Sequence, residues 1–287
     1  MELGPGLSVV VFGLAAALSW GAGDFGGGFF ARRQPLFGVV LVMQATGLAI
    51  TVALALLNAQ PLPSLESTGW ALVTGCAGVV GVTSLYRGLA EGRMGVVAPI
   101  AGVIGAIVPV CVGFAFQAVP RMEAITGIGL ALVSVVLVTR APGHHGDRPS
   151  GWRWGLIAGI ATGISSTAIS RIGPEAMYWS LATVRTEQIL GLVVVAVAWR
   201  QPWRVGGGDL WRLGIAGALD MAGNVTYVIA TQSGMLAAAA VLSSLYPVGT
   251  VLLAIGLLRE RVTRSHVLGV AMAVLAIALI ALGSGAG

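Results

Sequence analysis

The chain alternates long apolar stretches with short polar or basic connections along its whole length. Most of the apolar stretches approach the roughly 20 residues that a helix needs to cross a hydrocarbon layer of about 30 Å. A backbone inside a membrane must satisfy its own hydrogen bonds, so helices are the expected form. The pattern predicts an all-α polytopic membrane protein with ten transmembrane helices. The ten apolar segments, numbered in chain order, are 7–30, 36–57, 70–89, 96–116, 124–139, 154–170, 176–199, 210–232, 235–258 and 265–282.

The last two segments form a helical hairpin around a basic turn. Tyr246 and Pro247 interrupt the ninth segment, Glu260 and Arg261 lie in the turn, and Gly269 lies in the tenth segment. With these features, the run LSSLYPVGTVLLAIGLLRERVTRSHVLGVAMAVLAIALIAL resembles the end of the second repeat of an EamA-type carrier, of the drug/metabolite transporter superfamily. The resemblance implies a membrane transporter whose cavity is lined by its first, third, fourth, sixth, eighth and ninth helices. On this chain it implies the candidate cavity residues Trp20, Tyr86, Asn224, Tyr227, Ser244 and Tyr246.

Composition points to the same class. The chain is 56% hydrophobic and only 9% charged, whereas a soluble domain carries about 25% charged residues. The first segment lacks a basic start and a small-residue cleavage site, so we expect it to be a helix of the mature protein and not a signal peptide. Cys76 and Cys111 lie in separate apolar segments and are expected to be packing residues, without a disulfide or metal pattern.

The distribution of positive charge predicts a topology. All 16 basic residues are arginines: 13 flank odd-numbered connections between segments, Arg121 and Arg171 flank even ones, and Arg185 lies inside a segment. By the positive-inside rule, the odd connections are cytoplasmic and both termini lie outside the inner (cytoplasmic) membrane. The net charge of +5 therefore reflects topology, and we expect no nucleic-acid partner.

The two halves of the chain have matching patterns. A duplication of five helices, an odd number, gives inverted repeats, an architecture that places the solute of a secondary carrier near the midplane. A rival interpretation is that the duplication only builds a stable bundle. The predicted units are a first repeat at 1–140, a basic loop at 141–153 and a second repeat at 154–287. A shift of 141 positions aligns Trp70 with Trp211, Tyr86 with Tyr227 and Met94 with Met235.

Arg185 is the most costly residue in the apolar segments. It lies fifteen residues before Arg200, or about 22 Å from that helix end at 1.5 Å per residue. Charges at such depth nearly always face the bundle interior or an aqueous cavity. Asp220 lies eleven residues after Asp209, or roughly 16 Å deep. We therefore expect Arg185 and Asp220 to approach each other, directly or through a solute, with a structural ion pair as the alternative. Gln44 occupies the matching position in the first half.

Two further acidic residues and two prolines leave alternatives open. Asp24 lies eight residues before Arg32, about 12 Å from that end. It is either a partner of Arg32 or Arg33 at the membrane edge, which we favour, or a proton or cation site. Glu187 points to another face than Arg185 and is a candidate for ion coupling. Prolines in the fourth segment, at positions 99 and 109, indicate either a bent helix lining a cavity or a packing kink.

We expect a secondary transporter, an exporter of small metabolites such as amino acids or their derivatives, that works by alternating access. The alternatives are efflux of drugs or lipid-related molecules, and a non-transporting membrane scaffold. No cofactor, metal site, phosphate loop or catalytic set is evident, so an enzyme is not expected. The expected partners are the lipid bilayer and a small solute with or without a proton, and the chain is a monomer or homodimer. The candidates for solute binding are Trp20, Gln44, Tyr86, Arg185, Asp220, Asn224, Tyr227, Ser244 and Tyr246, and those for ion coupling are Asp24, Glu187 and Asp220.

Overall fold

The protein is described by a computed structural model over residues 5–116, 122–123, 125–127, 129–130, 133–134, 149–233, 239, 242–243, 245–258 and 264–284. Every regular element in these ranges is helical, as the sequence predicts. Single turns of 3₁₀ helix at Pro174–Ala176 and Gly207–Asp209 precede two of the long helices. The long helices are α1 (Pro5–Ala31), α2 (Leu36–Leu57), α3 (Leu65–Glu91), α4 (Met94–Phe116), α5 (Trp152–Ile169), α6 (Met177–Ala198), α7 (Leu210–Gln232), α8 (Tyr246–Leu258) and α9 (Arg264–Ser284).

These helices correspond to the first four and the last five of the predicted segments, while the fifth segment lies mostly outside the described residues. The third helix begins five residues before its predicted start, because the Ser64 hydroxyl caps it by accepting a hydrogen bond from Ser67 N at 3.1 Å. The described helix of the ninth segment begins at Tyr246. Pro247 falls in its first turn, where the missing amide donor removes no helical hydrogen bond.

The helices have the length and surface of a membrane protein. Five described helices are long and apolar enough to cross a membrane: Val10–Ala31, Leu36–Leu57, Leu65–Glu91, Pro174–Ala198 and Gly207–Gln232. Large apolar side chains such as Leu18, Val194 and Val197 are exposed on the outer faces of α1 and α6. Such a surface is stable against lipid and unstable in water. The chain is therefore a polytopic membrane protein, and the part of it that the structure describes is all-helical.

Helices from the two halves of the chain pack directly on one another. α7 packs along α1, α5 packs along both α3 and α4, and α6 packs along α2 and α3. A glycine stripe on α5 permits the close approach to α4: a Cβ at Gly159 would lie 2.9 Å from the carbonyl oxygen of Ala101 and 2.6 Å from the Cβ of Ile104. Gly155, Gly159 and Gly163, at a spacing of four residues, form a smooth packing surface on α5.

Connections from the two halves also meet at the ends of the bundle. At one end, Gln34 Nε2 donates to Asp209 Oδ2 at 2.9 Å, and Gly206 N donates to Gln34 Oε1 at 3.4 Å. At the other end, Tyr178 N and Trp179 Nε1 donate to the side chain and backbone oxygens of Gln60, at 2.9 and 3.1 Å. Polar contacts therefore join the halves on both sides of the apolar region.

Candidate functional site

A cavity of about 120 Å³ lies inside the bundle. Its wall comes from α1, α3, α4, α5, α6, α7 and the start of α8, so residues from both halves of the chain line it. Arg185 and Asp220 in this wall lie near the middle of α6 and α7, which places the cavity at mid-depth of the apolar region. Among the predicted site residues, those that line it are Trp20, Asp24, Tyr86, Arg185, Asp220, Asn224, Tyr227 and Tyr246.

Arg185 is the centre of a buried polar network. Its Nη2 donates to Asp220 Oδ2 at 2.6 Å, and its Nη1 donates to Gln188 Oε1 at 3.1 Å and to Gln44 Oε1. Gln44 Nε2 in turn donates to Gln188 Oε1 at 2.7 Å. Arg185 and Asp220 meet, as their depths in the membrane predict. A buried charge needs this degree of pairing, because its desolvation is compensated only by close partners.

Glycines make room for this network. A Cβ at Gly78 of α3 would lie 1.9 Å from Gln188 Nε2, and a Cβ at Gly47 of α2 would lie 3.1 Å from Arg185 Nε. Two non-bonded heavy atoms cannot lie 1.9 Å apart. The Gln188 amide therefore occupies its position only because residue 78 has no side chain. These glycines bring α2 and α3 close enough to α6 for the polar side chains of α6 to fit against them.

Asp24 lies in the cavity wall and not at the membrane edge. Its residue surface is 6% exposed, and its carboxylate accepts a hydrogen bond from the Tyr86 hydroxyl. The favoured expectation of a partner in Arg32 or Arg33 at the edge is therefore wrong: Arg32 Nε donates to the Leu89 carbonyl at 3.3 Å, and the Arg33 guanidinium lies 4.7 Å from the centre of the Phe29 ring. A separation of eight positions along one helix is too long for the side chains of Asp24 and Arg32 to pair.

Asp24 and Asp220 approach each other because α1 and α7 pack closely. A Cβ at Gly23 would be only 3.1 Å from the backbone nitrogen of Asp220. The two carboxylates are near enough for their charges to repel. Tyr86 reaches Asp24 across α1 because a glycine at 27 leaves space for its ring, whose Cζ would be 2.8 Å from a Cβ there.

Three aromatic rings form a cluster beside Asp24. The Trp20 ring lies 5.4 Å from that of Tyr227, tilted by 41°, and 6.3 Å from that of Tyr246, edge to face at 81°. Trp20 packs against α7 at Gly223, where a Cβ would be 2.4 Å from the indole Cδ1. The Tyr227 hydroxyl is buried and has no hydrogen-bond partner among the described residues. An unpaired buried hydroxyl at a cavity wall is a group that a bound molecule can satisfy.

The other predicted residues have different positions. Gln44 is buried behind the cavity and supports Arg185. Asn224 lines the cavity, but its Nδ2 donates to the Asp220 carbonyl of its own helix at 2.8 Å. Ser244 lies outside the described residues. Pro109 lines the cavity with other residues of α4, which favours the cavity-lining interpretation of this proline.

Glu187 does not line the cavity. Its Oε1 accepts a hydrogen bond from Cys76 Sγ at 2.8 Å, and its side chain lies against Gly75 of α3. Cys76 was expected to be a packing residue, but it is exposed on the outer face of α3. The side chain of Cys111 lies outside the description. The acidic group of α6 and the thiol of α3 therefore form a pair between helices, away from the Arg185 network.

Several cavity residues were not among the predicted ones. Gln188 lies one turn from Arg185, so its helical spacing was a signal for it. Ser243 is next to the predicted Ser244. Thr162, Gly102 and Gly105 had no such signal, because small residues of this kind are common in all membrane helices.

Comparisons with known proteins agree with this picture. Residues 149–282 match the family model of the EamA-like transporter family. One solved structure, titled "Crystal structure of protein", has a similar fold: the TM-score is 0.65 at 16% identity, over 96% of this chain and 97% of that chain. A search of curated proteins gave no match. The predicted resemblance to EamA-type carriers is confirmed, and it extends over 149–282 as a similarity to a family of membrane transporters.

Proposed function

We propose that the chain is a secondary transporter that exports small metabolites, such as amino acids or their derivatives, by alternating access. The observation that carries this proposal is the buried Arg185–Asp220 ion pair in the wall of a mid-depth cavity built by both halves of the chain. Ionisable residues at that depth are expensive and are typical of solute or ion pathways. A scaffold protein gains nothing from such a cavity.

The proposed architecture is ten helices in two inverted repeats, at 1–140 and 154–287, with the loop 141–153 between them. Two observations support it. Gln44 and Arg185 are related by the 141-residue shift, and they touch each other, as equivalent residues do beside a two-fold axis. The packing of α7 on α1 is mirrored by the packing of α5 on α3, since the shift exchanges these two pairs.

The size of the cavity favours a small solute. A pocket for a drug-sized molecule has a volume of about 300–1,000 Å³, and the volume here is about 120 Å³. Efflux of drugs or lipid-related molecules is therefore the second candidate.

A solute carboxylate would bind Arg185 by displacing Asp220, and a proton on Asp24 or Asp220 would supply one means of coupling. The odd connections are proposed to face the cytoplasm on the basis of their arginines.

Flux through proteoliposomes tests the proposal. The purified protein is reconstituted into vesicles loaded with a pooled metabolite extract, and the solutes that leave are identified by mass spectrometry. We expect export of a small metabolite, and at least a tenfold slower export by Arg185→Gln. Arg171→Gln is the matched control, because Arg171 is exposed at a helix end. If no solute moves through folded wild-type protein, the transporter proposal fails and the scaffold interpretation replaces it.

A further inference from the structure

We infer that the cavity contains a subsite for an organic ammonium group, formed by the Asp24 carboxylate and the rings of Trp20, Tyr227 and Tyr246. This inference deepens the proposed function, because it names the chemical class of the solute. The subsite lies in a different part of the cavity from the Arg185 network. It would recognise the positively charged end of the solute.

The first argument is the charge of the wall. Among the described residues that line the cavity, two are carboxylates, Asp24 and Asp220, and one is a guanidinium, Arg185. Arg185 is already engaged by Asp220 at 2.6 Å and by two glutamine side chains. When both carboxylates are ionised, one negative charge is therefore left over. A cation bound beside Asp24 would supply the counter-charge that its ionised form needs in a buried place.

The second argument is the nature of the groups around Asp24. Tyr86 from α3 donates a hydrogen bond to the Asp24 carboxylate, and Asp220 from α7 repels it. The Tyr246 side chain from α8 lies within range of its charge. None of these neighbours is positively charged. The carboxylate has further lone pairs that a ligand N–H or a polarised methyl group can use. A solute carboxylate would meet two like charges at this place, so an anionic group is excluded from it.

The third argument is the aromatic cluster. Centroid distances of 5.4 and 6.3 Å join Trp20 to Tyr227 and Tyr246, and all three residues line the cavity. Aromatic faces attract cations through the ring quadrupole, most strongly where water is excluded, and tryptophan is the strongest of the three ring types. The buried, unpartnered Tyr227 hydroxyl adds an acceptor for an N–H donor. Carboxylate, rings and free hydroxyl together match an ammonium group.

The test uses three molecules of the same shape and different charge. Choline is the cation, 3,3-dimethylbutan-1-ol is its neutral carbon isostere, and 3,3-dimethylbutanoate is an anion. Their binding to the purified full chain in detergent is measured by calorimetry, with quenching of tryptophan fluorescence as a second signal. We expect choline to bind at least about tenfold more tightly than the alcohol, which corresponds to about 1.4 kcal/mol, and also more tightly than the anion, which has no positive group.

Variants identify the residues that cause the preference for choline over the alcohol. Asp24→Asn is expected to bind choline and the alcohol equally, whereas Glu66→Gln, which removes an exposed carboxylate at the start of α3, retains the preference for choline. Trp20→Phe is expected to weaken choline severalfold, because phenylalanine keeps a ring but has a weaker face. Equal binding of choline and the alcohol by wild type overturns the inference, and so does a preference for choline that survives in folded Asp24→Asn.

The inference and the proposed function fail separately. Flux of a metabolite through proteoliposomes, together with equal binding of the three probes, would keep the transporter and remove the ammonium subsite. Selective binding of choline by a protein that moves no solute would keep the subsite and remove the transporter.

Discussion

The guanidinium of Arg185 and the carboxylate of Asp220 lie 2.6 Å apart and join α6 to α7. Their side chains are 5% and 17% exposed, so each is the principal counter-charge of the other in a region with little water. Removing one partner of such a pair leaves an uncompensated charge, which costs more than removing both.

A double-mutant cycle measures this dependence. We expect Arg185→Gln or Asp220→Asn alone to lower the free energy of unfolding by about 3–5 kcal/mol, and the double variant to be more stable than at least one single variant. Thermal unfolding of the purified protein in one detergent gives the comparison. Additive effects of the two substitutions would show that the pair does not act as a unit.

The glycine at position 78 gives a steric test of the same network. Gly78→Ala places a Cβ 1.9 Å from Gln188 Nε2, so the amide must leave its position beside Arg185. We expect a loss of about 1–3 kcal/mol, the usual range for overpacking, and slower solute flux. Gln188→Ala in the same chain should restore stability.

Gly69→Ala is the matched control, because it lies on the same helix and a Cβ there has no neighbour within 4 Å. Alanine is a better helix former than glycine by up to about 1 kcal/mol, so this variant should be as stable as wild type or more stable. A Gly78→Ala protein that behaves like Gly69→Ala would contradict the close contact with Gln188.

Tyr227→Phe separates binding from stability. The hydroxyl has no partner in the part of the chain that the structure describes, so its removal leaves no group there unsatisfied, and we expect the unfolding temperature to stay the same or rise. Solute affinity should fall severalfold, because a bound molecule loses one hydrogen bond. Tyr86→Phe is the contrast: it removes the donor to Asp24 and should reduce stability as well. Lower stability of Tyr227→Phe would mean that the hydroxyl has a structural role.

Glu187→Gln tests whether this acidic residue takes part in transport. Its carboxylate contacts Cys76 and Gly75 and lies outside the cavity. Glutamine has the same shape and can still accept from the thiol, so we expect flux and its dependence on a proton gradient to match wild type. Asp24→Asn, measured in the same vesicles, should change the flux. A proton dependence that disappears in Glu187→Gln would assign the coupling role to Glu187.

Labelling of single cysteines tests the proposed orientation. In a Cys76→Ser, Cys111→Ser background, Asn58→Cys places a thiol in an even connection and Gln201→Cys places one in an odd connection, both at exposed positions. We expect an impermeant maleimide added to intact cells to label the first only, and both after permeabilisation. The reverse pattern would invert the topology.

The part of the site that could be predicted is the part governed by depth. Arg185 and Asp220 are far from the ends of their helices, and charges at such depth require partners, so their contact followed from counting residues. The glycine stripe of α5 is likewise visible in the sequence as a spacing of four residues. Each of these features belongs to a single helix, so the order of polar and apolar residues along the chain is enough to predict it.

Asp24 shows what such counting omits. Its distance from Arg32 along the helix suggested the membrane edge, but its surroundings depend on how α1 is rotated and on which helix it faces. That rotation is determined by the absence of side chains at Gly23 and Gly27, which admits Asp220 and Tyr86. A glycine in the sequence does not indicate which residue will pack against it. The contact between α1 and α7 therefore could not be predicted from either helix alone.

The cavity wall is divided between the two sides of the 141–153 connection, with α1, α3 and α4 before it and α5 to α8 after it. Neither side encloses the space by itself, so the cavity lies at an interface within one chain. The covalent link between the two sides determines the effective concentration of one wall at the other and not the shape of the surface they form. Two separately synthesised halves would thus keep every group of the site and lose only the probability of meeting.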